Sequence, residues 1–326
     1  MGVMIDGDWH PDRDQAVDSE TGEFLRTPTT FRDTPSFSAD SPPATDRYHL
    51  YISRACPWAH RTMLVRALKG LETAISVDIV DPVRIDDGWE FSPEIADCTA
   101  DSIHGSTYLR EVYRAADASY TGRVTVPVLW DRETETIVNN ESSDIIQIFD
   151  DAFDPIATND ITLFPDDLPV EETIEAIYEP INNGVYRSGF AKSQSAYDEA
   201  VDALFTALEE WNDRLASQRY LCGDRLTAAD LCLFVTLYRF DEVYHTHFKC
   251  NQALITEFDH LWGHTREIYQ LPGVASTCNM AHVKDHYYRS HTDINPVQLV
   301  PVGPSPAFEQ PHDRDSLTGD PPDALD

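Results

Sequence analysis

Lysine is nearly missing from this chain of 326 residues: Lys69, Lys192, Lys249 and Lys284 are all there are. Lysine and arginine together number 24 against 57 aspartates and glutamates, a formal charge of −33. A field of that sign repels phosphate backbones and anionic lipid, so neither nucleic acid nor a membrane surface is expected as a partner. The acidic residues run along the whole chain rather than gathering in one tail. Such a lysine-poor surface suits a protein working in concentrated salt, where self-repulsion is screened, and points to a halophilic source.

Other absences narrow the chemistry. No apolar run approaches the ~20 residues of a membrane span, and the first residues lack the basic and apolar regions of a secretory signal. The six cysteines (Cys56, Cys98, Cys222, Cys232, Cys250, Cys278) lie too far apart for a disulfide framework, so a reducing cytoplasm is expected. There is no Cys-x-x-Cys. Ala59 stands three positions after Cys56, which rules out a neighbouring resolving thiol and leaves any mixed disulfide to an external one. His245-Thr-His247-Phe-Lys-Cys250 offers three ligand types, but its spacing matches no zinc pattern; packing is expected there, and no metal.

What is present centres on Tyr48-His-Leu-Tyr-Ile-Ser-Arg-Ala-Cys56-Pro-Trp-Ala-His60-Arg61. Tyr48, Leu50 and Ile52 alternate as in a strand. Proline is tolerated at a first helical position, and the residues after Pro57 read as an amphipathic helix ending near Gly70. Cys56 is thereby placed at a helix N-terminus, where unpaired N–H groups and the dipole favour an anion. Such an address can lower a thiol from about 8.5 into the range of about 3.5–7.5. A buried structural cysteine is the competing reading.

Around this segment the chain divides by pattern. Residues 1–46, rich in Asp, Ser, Thr and Pro with isolated aromatics, read as an irregular extension. Residues 47–150 alternate short strands (Ala74–Val80, Thr125–Trp130, Ile137–Asn139) with helices, the last over Ser142–Asp150, which indicates an α/β domain. A proline-bearing linker covers 151–169. Helical spacing then dominates 170–301, with helices expected over Val170–Tyr186 and Ser195–Ser217 and a capping signal at Thr227-x-x-Asp230, so the second domain is all-α. Residues 302–326, rich in Pro and Asp, read as a disordered tail.

Three further motifs carry a structural and a functional reading each. Pro127 could simply begin an edge strand, or form a cis bond that turns the backbone of Val126 toward a peptide ligand. Glu141, Ser142 and Asp144 could cap a helix, or Glu141 could grip an α-amino group while Ser142 and backbone N–H groups hold a carboxylate. Trp89, Tyr186, Tyr238, Tyr244, Tyr287 and Tyr288 could be core, with the Tyr287-Tyr288 pair in its polar stretch the best placed to line a cleft.

Taken together, Cys56-Pro-Trp-Ala-His-Arg61, Gly122-Arg-Val-Thr-Val-Pro127, Asn140-Glu-Ser-Ser143, Asn183-Gly-Val-Tyr186, Arg239-Phe-Asp-Glu-Val-Tyr244, His247-Phe-Lys-Cys-Asn251 and Asn295-Pro296 resemble the Xi class of glutathione S-transferases, the glutathionyl-hydroquinone reductases. The resemblance implies a thioredoxin-like N-terminal domain, an all-helical C-terminal domain and a homodimer. It implies Cys56 as nucleophile, and Trp89, Arg123, Val126, Pro127 (as the cis-proline), Glu141 and Ser142 as the thiol-binding set. Tyr186 and Tyr288 would face the hydroquinone ring as catalytic groups, with Tyr244 and Tyr287 beside it. The co-substrate would be glutathione, or γ-glutamylcysteine in a salt-loving cell. A glutaredoxin-like thioltransferase sharing Cys56, and a non-catalytic binding module on the same fold, are the alternatives.

Overall fold

The computed structural model describes residues 2–11, 17–26, 28–35, 37, 43–319 and 321–322; the remaining positions of the N-terminal extension and of the tail lie outside the described residues. The chain divides into two units. The first gathers Met1–Gln15, Thr27–Asp160 and Thr277–Val300, the second Ala16–Arg26, Ile161–Ser276 and Pro301–Asp326.

The first unit opens with a hairpin, β1 (Val3–Ile5) and β2 (Asp8–His10), where an irregular segment was expected. The missed signal is Asp6-Gly7. Both residues have positive φ (49° and 83°), the conformation that a tight two-residue turn between twisted strands requires. The hairpin continues as β3 (Tyr48–Ile52), α1 (Pro57–Leu68), β4 (Ile75–Ile79), α2 (Leu109–Ala116), β5 (Gly122–Arg123), β6 (Val128–Asp131), β7 (Thr136–Asn139) and α3 (Ser142–Asp151). The main sheet has the order β4-β3-β6-β7, with β3 parallel to β4 and antiparallel to β6; β1 joins β5 in a second, three-stranded sheet.

Strand β3 is buried at all five positions, not on one face alone. The second face is polar and packed against polar partners. His49 Nδ1 lies 2.7 Å from Ser76 Oγ and its Nε2 3.1 Å from Asp78, while the Tyr51 hydroxyl donates to Asp101 at 3.0 Å. Asp78 also accepts from the N–H and hydroxyl of Ser102 (2.6 and 2.7 Å), and Asp101 from three backbone N–H groups of the following turn. The irregular insertion after β4 is thus pinned over the sheet by carboxylates, which periodicity cannot reveal.

The second unit contains α4 (Val170–Ile177), α5 (Gly184–Phe190), α6 (Gln194–Leu215), α7 (Ala228–Arg239), the single turn α8 (His245–His247), α9 (Asp259–Gln270) and most of α10 (Val274–Thr277). The helix expected over Val170–Tyr186 is interrupted by a π-helical turn at Tyr178–Asn182. Pro180 lies inside that turn, and a proline's missing N–H and its clash with the carbonyl four residues back explain why the regular ladder gives way. The cap at Thr227 forms as its sequence signals: Asp230 Oδ2 accepts from the N–H and hydroxyl of Thr227 (2.9 and 3.0 Å). Its Oδ1 is held by Leu221 N–H and His264 (2.8 and 2.9 Å), so the buried carboxylate ties three segments together.

Two expected boundaries move. Helix α11 (Met280–Ser290) belongs with the sheet unit, because His282 meets the carbonyl of Ala96 at 2.7 Å and the side chain of Asn279 donates to Asp97 at 2.8 Å. The described part of the tail is ordered against the helical unit. Phe308 packs on Tyr238, Tyr269 and Trp262 at ring separations of 5.0–5.4 Å. Arg314, only 2 % exposed, donates to Glu267 at 3.0 Å and to the carbonyls of Gln218 and Arg219. Arg219 completes the cluster, bonded to Glu267 at 2.6 Å and to Asp315 at 2.7 Å. An acidic, proline-rich composition conceals one anchoring arginine and one anchoring phenylalanine.

Two outcomes follow. Replacing Arg314 with methionine strips those carbonyls of their donor and halves the pairing of Glu267. It should lower unfolding free energy by ~3 kcal/mol or more, the scale for breaking one side of a buried ion pair, as read by denaturant unfolding in the salt that keeps the parent folded. Burial works to raise the Asp78 carboxyl, but hydrogen bonds from His49 and Ser102 outweigh it and hold the group below its ordinary value. A carboxyl depressed in the folded state stabilises above its unfolded value of about 4, and that stability is lost as pH falls through the folded value. The acid limb of an Asp78→Asn variant, followed by circular dichroism below pH ~4, should therefore be flatter than the parent's.

Candidate active site

Cys56 is the N-cap of α1, in extended conformation, and Pro57 opens the helix. Its carbonyl accepts the His60 N–H at 2.9 Å, and its own N–H turns back to Ser53 O at 3.2 Å, so the strand-to-helix corner is closed by backbone bonds. The thiol is half-exposed, and its sulfur lies 3.7 Å from the carbonyl of Val126. Val126-Pro127 is a cis peptide. The nucleophile candidate and the segment downstream of β5 are thus brought side by side, although 70 residues separate them in sequence.

Two tyrosines that sequence reasoning passed over hold this segment in place. The Tyr113 hydroxyl donates to Thr125 O at 2.8 Å and receives the Asn140 amide at 3.0 Å. One buried phenol of α2 therefore links the residue before Val126 to the residue before Glu141. Burial pushes the Tyr113 phenol up, which keeps it a neutral donor. Tyr120 donates to Arg123 O at 2.8 Å, fixing the end of β5 just before Thr125. No local pattern marks Tyr113, because its two partners lie 12 and 27 residues away.

Glu141 is the N-cap of α3, and Oε1 accepts from the Ser143 N–H at 3.4 Å and the Ser143 and Ser142 hydroxyls at 3.3 and 3.4 Å. Thr29 donates to Oε2 at 3.2 Å. All four bonds are at the long end of the range, and a carboxylate offers about four acceptor positions. The capping reading is realised, and acceptor capacity remains for an ammonium group. Residues 28–35 run beside this corner: Phe31 exchanges bonds with Asn140 at 3.0 and 3.2 Å, and Arg32 pairs with Asp144.

Trp89 is buried between the imidazole of His286, stacked at 5.2 Å, and the guanidinium of Arg84 at 5.0 Å. Its indole N–H is buried without a hydrogen-bond partner among the described residues. A donor in that state is costly unless a ligand takes it. His286 is on α11, so this stack also sets the helix that carries Tyr287 and Tyr288. Tyr288 is buried, with its carbonyl bound by Asn295 at 2.7 Å; Tyr287 is buried edge-on against His286 and His291.

In the helical unit, Tyr186 and Tyr244 meet at a ring separation of 6.1 Å. Phe248 lies 5.6 Å from each. A side chain at Gly189 would place a Cβ 2.1 Å from the Phe248 ring, so glycine is what lets α5 approach this cluster. Tyr244 ends a π-helical turn, Phe240–Tyr244, and Tyr186 follows the other such turn; Asn182 in the latter bonds Cys232 O and Thr236 Oγ1 of α7, each at 2.8 Å. Neighbouring His247 and Cys250 pack as expected. Burial, with Lys249 adding to it, takes the imidazole down to about 4, and burial pushes the Cys250 thiol up to about 12. Among the described residues no group of three metal-ligating side chains converges.

The chain is similar to known proteins over nearly its whole length. Residues 55–152 match the family model "Glutathione S-transferase, N-terminal domain", and residues 194–267 its C-terminal counterpart. Glutathionyl-hydroquinone reductase YqjG of Escherichia coli is 45% identical over 331 residues, 98% of this chain and 100% of the relative. Glutathionyl-hydroquinone reductase PcpF of Sphingobium chlorophenolicum is 46% identical over 94% and 97%. Among solved structures, a Xi-class enzyme from Natrialba magadii superposes with a TM-score of 0.91 at 52% identity, covering 98% of both chains. The glutathione-bound structure of YqjG gives 0.87 at 43%, covering 96% of this chain and 99% of that one. The chain belongs to the glutathione S-transferase family, and within it to the Xi class.

Proposed function

We propose that this protein reduces glutathionyl-hydroquinones to hydroquinones with a low-molecular-weight thiol. The observation that carries the reading is Cys56 at the head of α1, beside Val126 and without a second thiol at Ala59, in a chain alike over its whole length to two glutathionyl-hydroquinone reductases. Glutathione is the co-substrate; γ-glutamylcysteine would use the same groups apart from those that meet the glycine.

The chemistry runs in two stages. The Cys56 thiolate attacks the sulfur of the conjugate, an S–S bond forms and the C–S bond breaks. The electron pair goes to the ring carbon, which takes a proton, and the hydroquinone leaves. The remaining mixed disulfide is attacked by a second thiol, which restores Cys56 and releases the oxidised thiol dimer. A helix N-terminus favours the thiolate at the start of each cycle and again as leaving group at its end. Carbon is a poor leaving atom, so proton delivery decides the first stage. We assign that task to the hydroxyls of Tyr186 and Tyr288, with Tyr244 and Tyr287 as neighbours at the ring.

For thiol binding we assign the ammonium to Glu141 and a carboxylate to Ser142 and the N–H groups that open α3. The indole N–H of Trp89 and the guanidinium of Arg123 suit further acceptors of the thiol, and the backbone beside Pro127 its peptide. A homodimer is part of the same proposal.

Cys56→Ser should abolish turnover of a glutathionyl-hydroquinone and the mass increase of a bound thiol while leaving the folded spectrum intact; residual turnover in that variant would sink the mechanism. Tyr113→Phe keeps the ring but removes the bond that ties Thr125 to Asn140. It should raise KM for the thiol about 5–10-fold, the scale of one hydrogen bond, with a smaller change in kcat. Steady-state kinetics with the thiol varied would detect this.

A further inference from the structure

The segment 17–26 belongs to the helical unit and is built there bond by bond. Asp18 closes a turn by accepting from Glu20 and Thr21 N–H at 2.8 and 2.9 Å, and Val17 bridges Phe24. These same backbone bonds hold the exposed Asp18 carboxyl below its ordinary value, that of Thr21 first. The turn is fastened to the start of α6: Lys192 N–H donates to Gly22 O at 2.9 Å and the Ser193 hydroxyl to Thr21 O at 2.8 Å. Phe24, so anchored, stacks on Phe190 at 5.3 Å and on Tyr186 at 6.3 Å. Two residues on, the Arg26 guanidinium lies 5.2 Å from the centre of the Tyr186 ring, and its Nε donates to Asn183 Oδ1 at 3.1 Å.

We infer that Arg26 is a positioning residue for Tyr186, holding the ring by its face and favouring the phenolate that remains when Tyr186 gives up its proton. The inference rests on the reading of Tyr186 as a proton donor and adds the group that acts through it. A guanidinium within about 6 Å of an aromatic centroid is attracted to the ring face, and more strongly when the ring carries negative charge. The bond to Asn183, one helical turn before Tyr186, fixes where that charge sits.

Other charged and titratable groups lie on the elements packed around the ring. On α5 and the turn before it, Arg187 pairs with Glu179 at 3.6 Å and with Glu199 of α6 at 3.8 Å. On the turn before α8, Asp241 accepts from Ile255 and Thr256 N–H, Glu242 is buried, and Tyr244 contributes a ring. On α8 and just beyond, His247 is neutral above about 4, His245 is half-buried, and Lys249 is exposed. The cation on the face of Tyr186 comes from the N-terminal segment.

The test combines Arg26→Gln, Arg26→Lys, Tyr186→Phe and the Arg26→Gln/Tyr186→Phe double variant. For each, kcat for a glutathionyl-hydroquinone is measured against pH, beside the rate at which Cys56 forms a mixed disulfide with oxidised glutathione, a reaction with no carbon leaving group. Arg26→Gln should lower kcat about 10-fold or more, move the alkaline part of its pH profile, and leave mixed-disulfide formation within about 2-fold. Arg26→Lys should recover most of the loss, and Arg26→Gln should have no further effect once Tyr186 is Phe. If the Arg26 and Tyr186 losses multiply independently, or if mixed-disulfide formation falls in step with kcat, the inference is overturned while the role of Tyr186 stands. If Tyr186→Phe leaves kcat unchanged, the reading of Tyr186 fails and the inference with it.

Discussion

The seat of Cys56 at the head of α1, its sulfur 3.7 Å from the Val126 carbonyl, is the contact on which the rest of the site depends. In the proposed mechanism it joins two pieces of chain: the helix end that carries the nucleophile, and the backbone edge assigned to the second thiol. Because Ala59 is no thiol, the proposed mechanism relies on the second piece. The bonds that secure it are long-range and buried. Tyr113 ties Thr125 to Asn140, Tyr120 holds Arg123, and the β1–β2 hairpin pairs with Gly122 and Arg123.

The parts legible in the sequence are those whose physics is local. A strand followed by Cys-Pro, the cap Thr227-x-x-Asp230 and the acidic start of α3 each announce themselves within a few residues, because dipoles, caps and proline geometry act over one turn. The parts that were not legible depend on distant partners or on a single residue in a misleading context. The Asp6-Gly7 turn was hidden in a polar stretch. Pro180 broke a ladder inside a helical pattern. Arg314 and Phe308 ordered a tail whose composition argues for disorder. Tyr113 had no signal at all, because what makes it important is the pair of backbone corners it reaches.

Charge tells a similar story from the other side. In a chain with a formal charge of −33, basic residues are scarce, and several of them are spent inside. Lys69, 1 % exposed at its side chain, pairs with Asp150 at 3.3 Å and Asp154 at 2.6 Å; Arg219 and Arg314 share Glu267. Ion pairs removed from solvent are screened far less than surface pairs. A protein bathed in concentrated salt can rely on them where surface pairs would contribute little.

The N-terminal extension gains a different meaning on this view. It was expected as an irregular wrapping, yet its described residues are divided between tasks. Residues 28–35 brace the corner at Asn140 and Glu141, within the sheet unit. Residues 17–26 set Phe24 and Arg26 on Tyr186, within the helical unit. Under the proposed mechanism, residues 28–35 serve the thiol-binding corner and residues 17–26 the proton donor. The extension's low periodicity is the consequence of that role: a segment that contributes single side chains to separate partners has no reason to repeat.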